Sequence, residues 1–98
     1  MELRDIEYFA VVAEQRHLGR AAEALGLTQP ALSKSLRRLE SALDAKLVRR
    51  THTGVELTAE GTALAARASA LQLSLQDVAR EVRKCVERTR RDTLRSDA

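Results

Sequence analysis

The sequence predicts a mainly helical fold: a winged helix-turn-helix head with a short β-hairpin wing, followed by one long dimerising helix. Three observations predict it. A helix junction at Gly26 carries a stop signal on one side and a start signal on the other, two β-prone runs flank residues 51–54, and an apolar heptad seam runs from Leu64 to Cys85. The expected division is a head over 1–58, a linker and dimerisation helix over 59–88, and a polar tail or start of a hinge over 89–98.

Leu3, Ile6, Phe9, Ala10 and Ala13 mark the apolar face of a first helix that ends near Gln15 or Arg16. Arg20 to Leu25 reads as a compact, alanine-rich second helix closed by Gly26, which can adopt the left-handed conformation that ends a helix. Thr28 can cap a third helix, and Pro30 then falls in its first turn, where a missing N–H costs nothing. In that helix Leu32, Leu36, Leu39 and Leu43 recur at intervals of four, three and four, a stripe directed inward. The opposite face carries Pro30, Ser33, Lys34, Arg37 and Ser41, with Arg38 on the flank and Gln29 at the tip. Such a face suits a major groove, whereas a lone basic face is more often simply solvated.

Lys46 to Arg49 and Val55 to Thr58 read as two short strands around Thr51-His52-Thr53-Gly54. A hairpin wing bearing Arg49, Arg50 and His52 and a connecting loop with incidental charge are about equally supported by this stretch alone. From Ala59, with Thr58 as cap, one helical pattern continues to about Arg88, a length of about 45 Å at about 1.5 Å per residue. Leu64, Ala68, Leu71, Leu75, Val78, Val82 and Cys85 form its seam. A head of fewer than sixty residues can cover the first two turns at most, which leaves Leu75, Val78 and Val82 exposed, so a homodimer is expected, in either orientation. Beyond Val86 the pattern dissolves into a polar stretch that reads as a frayed helix end or linker.

Charge narrows the partner. The 98 residues carry a formal net charge of +3, distributed as −2 over residues 1–27, +4 over 28–53 and +1 over 54–98. The excess therefore lies on the third helix and the wing, which fits a polyanion. Tyr8 and Phe9 are the only aromatic residues, too few for modules that stack unpaired bases, so duplex DNA is favoured. The longest apolar run, Tyr8 to Ala13, is far too short to span a membrane, and no signal-peptide pattern follows Met1. One cysteine, Cys85, excludes an internal disulfide framework and fits a reducing cytoplasm. His17, His52 and Cys85 are dispersed, without paired carboxylates, a phosphate loop or a metal-ligand cluster, so neither an enzyme nor a cofactor or metal site is expected. The rival reading is a winged helix used only for protein interaction and dimerisation.

Arg20-Ala21-Ala22, Gln29-Pro30-Ala31-Leu32-Ser33, Leu39-Glu40 and Leu57-Thr58-Ala59-Glu60-Gly61 fall at spacings that resemble the N-terminal DNA-binding region of LysR-type transcriptional regulators, in register from Met1 to about Val86. The resemblance implies a bacterial regulator with a winged head and a linker helix that pairs antiparallel with its twin. It also implies higher oligomers in a full-length protein and an inducer-binding domain outside these residues. Carried over by position, the base-reading residues are Gln29, Pro30, Ser33 and Lys34. The expected phosphate or wing contacts are Thr28, Arg37, Arg38, Arg50, His52 and Thr53, and the expected dimer interface is Leu64, Ala68, Leu71, Leu75, Val78 and Val82. Five positions depart from the family pattern. His17 and Gly19 replace small hydroxyl residues, although glycine tolerates a capping conformation. Thr53 stands where an arginine commonly reaches the minor groove, and Val48 replaces a phenylalanine. Lys34 replaces an arginine, losing the bidentate fork that reads guanine.

Overall fold

The structure, a computed structural model, describes residues 1–96. Four helices and one hairpin follow in the order α1 (Leu3–Gln15), α2 (Leu18–Leu25), α3 (Gln29–Leu43), β1 (Val48–Thr51), β2 (Gly54–Leu57) and α4 (Ala59–Ser96). Helices α1, α2 and α3 pack on one another around Phe9, Val12, Leu18, Ala21, Leu32 and Leu39, with Leu47, Val48 and Val55 closing the core from the hairpin side. The apolar stripe of α3 leaves this core at its last turn. Leu43 is 40% exposed, because Asp44 turns the chain in a left-handed conformation directly after it. Leu3 is likewise exposed; on α1 the buried set is Asp5, Phe9 and Val12.

The hairpin is antiparallel, pairing Val48 with Leu57, Arg49 with Glu56, Arg50 with Val55 and Thr51 with Gly54, so His52 and Thr53 form its turn. Strand β1 starts two residues later than the sequence pattern suggests. The backbone before it is already committed: the Leu47 amide donates to the Glu40 carboxylate at 2.8 Å, and the Lys46 carbonyl accepts from the Thr58 hydroxyl at 2.6 Å. Strand β2 correspondingly ends at Leu57, and the same Thr58 hydroxyl accepts the Gly61 amide at 3.0 Å, capping α4. A side chain at Gly61 would place its Cβ 2.0 Å from the Leu47 carbonyl oxygen, so only glycine lets α4 start this close to β1.

Helix α4 differs from expectation at both ends. Its first turns lie on α1: Leu64 packs against the head core and Ala68 is 2% exposed, so these two residues of the expected dimer seam are taken by the chain's own head. Its far end does not dissolve at Arg88 but stays helical to Ser96. No glycine or proline follows Gly61, so nothing in the sequence breaks the helix where the apolar period has stopped; the Thr89 and Thr93 hydroxyls are satisfied by carbonyls one turn earlier. The expected tail over 89–98 is thus helix as far as 96, and its last two residues lie outside the described residues. The molecule measures 67 × 24 × 20 Å, a head at one end of a rod.

Candidate nucleic-acid interface

The α2–α3 turn is built as its residue types require. Gly26 has φ +67°, and the next amide, Leu27, donates to the Ala22 carbonyl at 2.8 Å, closing α2. Thr28 caps α3 by accepting the Ala31 amide at 3.2 Å, and Pro30 lies in the first turn. The cap of α2 is His17, not Gly19: its Nδ1 accepts the Arg20 amide at 3.1 Å, and α2 begins at Leu18. Gly19 serves this cap differently, because a Cβ there would come within 3.0 Å of the His17 ring. An accepting Nδ1 places the proton of the neutral imidazole on Nε2.

These caps leave the tip of α3 bare. Thr28, Gln29, Pro30, Lys34 and Arg37 are exposed and Ser33 is half-buried, so the structure brings the expected base-reading residues onto one face. The hairpin stands beside that face because its turn is anchored to the end of α1. Arg16 adopts φ +55°, its carbonyl accepts the Val55 amide at 2.9 Å, and a Cβ on Gly54 would sit 2.2 Å from the same oxygen. Between α3 and the wing runs a cleft of about 260 Å³ lined by His17, Gln29, Arg50, His52 and Thr53. A second hollow of about 370 Å³ on the other side of Arg50 is lined by Ser33, Arg37, Lys46 and Arg49. Arg50 borders both and donates from Nη2 to the Ser33 hydroxyl at 3.4 Å, tying the wing to α3.

Arg38 departs from expectation. It turns away from the groove face and donates to Asp5 Oδ1 at 2.9 Å; the same oxygen accepts the Ser35 hydroxyl at 2.6 Å, and Oδ2 accepts the Glu2 amide at 3.3 Å. The Arg38 hydrogen bond is the main force lowering the Asp5 pKa to about 2, against the opposing effect of burial. Sequence reasoning missed this cluster. Its signal was available: Asp5, Phe9 and Val12 share one stripe at helical spacing, and an acid on an apolar stripe requires a partner.

Among the described residues, no group of three or more His, Cys, Asp or Glu side chains is placed to hold a metal ion, and no helix is long and apolar enough to cross a membrane. The family model described as "Bacterial regulatory helix-turn-helix protein, lysR family" matches residues 3–62. The chain belongs to the LysR family. Its curated relatives include the HTH-type transcriptional regulator BudR of Klebsiella aerogenes, 46% identical over 88 residues, covering 90% of this chain and 61% of BudR. IlvR of Caulobacter vibrioides is 57% identical over 61 residues, covering 62% of this chain and 21% of IlvR. The chain thus spans about three fifths of the first relative and a fifth of the second. Among solved LysR-family structures, the BenM DBD/catB site 1 DNA complex superposes with a TM-score of 0.84 at 30% identity, covering 88% of this chain and 97% of that one. The CbnR DBD–DNA complex gives 0.74 at 36% identity, covering 83% and 94%. The winged helix-turn-helix architecture is therefore that of the LysR DNA-binding domains, and the LysR-family relatives are transcriptional regulators, not enzymes.

Proposed function

We propose that this chain is the DNA-binding part of a bacterial transcriptional regulator that places α3 in the major groove of a duplex operator and works as a homodimer in the cytoplasm. The observation that carries the reading is the bare, capped tip of α3 beside an anchored wing, with the basic side chains of Lys34, Arg37, Arg49 and Arg50 on the same side. Gln29, Pro30, Ser33 and Lys34 read base edges. Thr28, Arg37, Arg50, His52 and Thr53 meet phosphates or the groove wall. Ser33 accepts from Arg50, which leaves its own O–H available as a donor for a base or phosphate acceptor. The dimer forms through α4 at Leu71, Leu75, Val78 and Val82. Response to a small-molecule inducer, and any assembly beyond the dimer, would belong to the remainder of a longer protein.

Selection of bound sequences from a random duplex library, followed by titration of the selected site, tests this reading. Binding should weaken steeply with salt, and Gln29→Ala should cost about 1 to 3 kcal/mol on the preferred site while relaxing one base position. Equal losses on selected and random DNA would remove Gln29 from base reading. A protein with no salt-dependent duplex binding would instead be a protein-interaction module.

A further inference from the structure

Arg37 and Arg38 are adjacent in sequence, equal in charge and both exposed, but only Arg38, its side chain 46% exposed, has a carboxylate partner. Arg37 is exposed beside the groove face and forms no ion pair among the described residues. Arg38 faces α1, where its guanidinium meets a carboxylate that is only 2% exposed and is also held by Ser35 and by the Glu2 amide. We infer that Asp5 cancels Arg38 as a cation toward DNA and uses it, with Ser35, to fix the rotation of the recognition helix, which makes Asp5 a positioning residue for base reading.

The inference rests on the DNA-binding reading above. Successive residues of a helix are about 100° apart around its axis, so fixing Ser35 and Arg38 against α1 sets the azimuth of Ser33, Lys34 and Arg37 in the same two turns. The stripe of Leu32, Leu36 and Leu39 seats α3 on the core. The buried carboxylate adds direction to that seat, because a roll of α3 breaks the two charge-assisted hydrogen bonds Asp5 accepts from it. The ion pair does not release counterions from DNA, because its net charge is zero.

The test compares parent, Arg37→Ala, Asp5→Asn, Ser35→Ala and the charge-neutral double variant Asp5→Asn/Arg38→Gln. Each is titrated across a salt series with the selected operator and with random duplex, and circular dichroism confirms folding at the assay temperature. Arg37→Ala should lower the salt slope by about 1, the double variant should leave it unchanged, and Asp5→Asn, which frees the Arg38 charge, should steepen it by about 1. The ratio of operator to random affinity should fall about tenfold in Asp5→Asn and in the double variant, and about threefold in Ser35→Ala. A double variant that loses slope as Arg37→Ala does would make Arg38 a phosphate ligand and overturn the cancellation. Parent-like affinity ratios in folded Ser35→Ala and the double variant would overturn the positioning role. If Asp5→Asn alone fails to fold, the double variant and Ser35→Ala still decide both points. Absence of salt-dependent duplex binding by the parent would overturn the DNA-binding reading first, and this inference with it.

Discussion

Asp5 carries a stability consequence as well as a positional one. With its pKa lowered to about 2 from an ordinary 3.8, the folded chain binds this proton less readily than the unfolded chain does. The stabilisation is therefore complete above about pH 5 and disappears as pH falls through about 2, amounting to about 2 kcal/mol for a shift of this size. Chemical denaturation between pH 6 and 2 should show that acid loss in the parent and a shallower one in Asp5→Asn; equal slopes would mean the carboxylate is not ionised in its cluster. At this scale the sequence was only partly legible. Thr28, Pro30 and Gly26 announce their roles through local chemistry, and the structure bears them out. Arg38 does not, because its partner lies 33 residues away on another helix.

Elements meet where glycine permits it, and two glycines separate conformation from space. Gly26 needs its left-handed backbone but has nothing within 4 Å of a prospective Cβ, whereas at Gly61 a Cβ would strike the Leu47 carbonyl at 2.0 Å. Gly26→Ala should therefore cost about 1 to 2 kcal/mol, the left-handed penalty alone. Gly61→Ala should cost more, about 3 kcal/mol or above, because β1 and α4 must separate. Thermal unfolding of the two variants checks the order, and a reversed order would mean that the α4–β1 junction yields easily. The elements themselves were legible in kind and sequence. Their boundaries moved where distant groups claimed the backbone, as Glu40 and Thr58 do before β1, and where helix propensity outlasted burial, as in α4.

At the scale of the molecule, the head covers only the first turns of a 38-residue helix. Leu75, Val78, Val82 and Val86 remain 40 to 59% exposed in one chain. A heptad pattern records that a stripe will be buried without saying by what, which is why Leu64 and Ala68 read as dimer seam although the single chain already packs Leu64 against the head core and buries Ala68. The part of the stripe left over is the part a second copy would cover, at about 1.5 to 3 kcal/mol for each large aliphatic side chain. Leu75→Asp should yield a folded monomer whose affinity for a two-half-site operator falls toward that for one half-site. Sedimentation with operator titration checks this; a variant that stays dimeric and binds like the parent would place the interface elsewhere.

The joint at Thr58 has a mechanical meaning. Its hydroxyl bonds both the Lys46 carbonyl and the Gly61 amide, its amide bonds the Leu47 carbonyl, and Gly61 brings α4 against β1 without clearance. The head is therefore welded to its rod rather than hinged on it. For a rod of about 57 Å, a tilt of about 5° at the far end carries the head sideways by about 5 Å, more than the spacing of about 3.4 Å between successive base pairs. Leverage of that size means that a small tilt of α4 carries α3 by more than a base step without any part of the head changing shape.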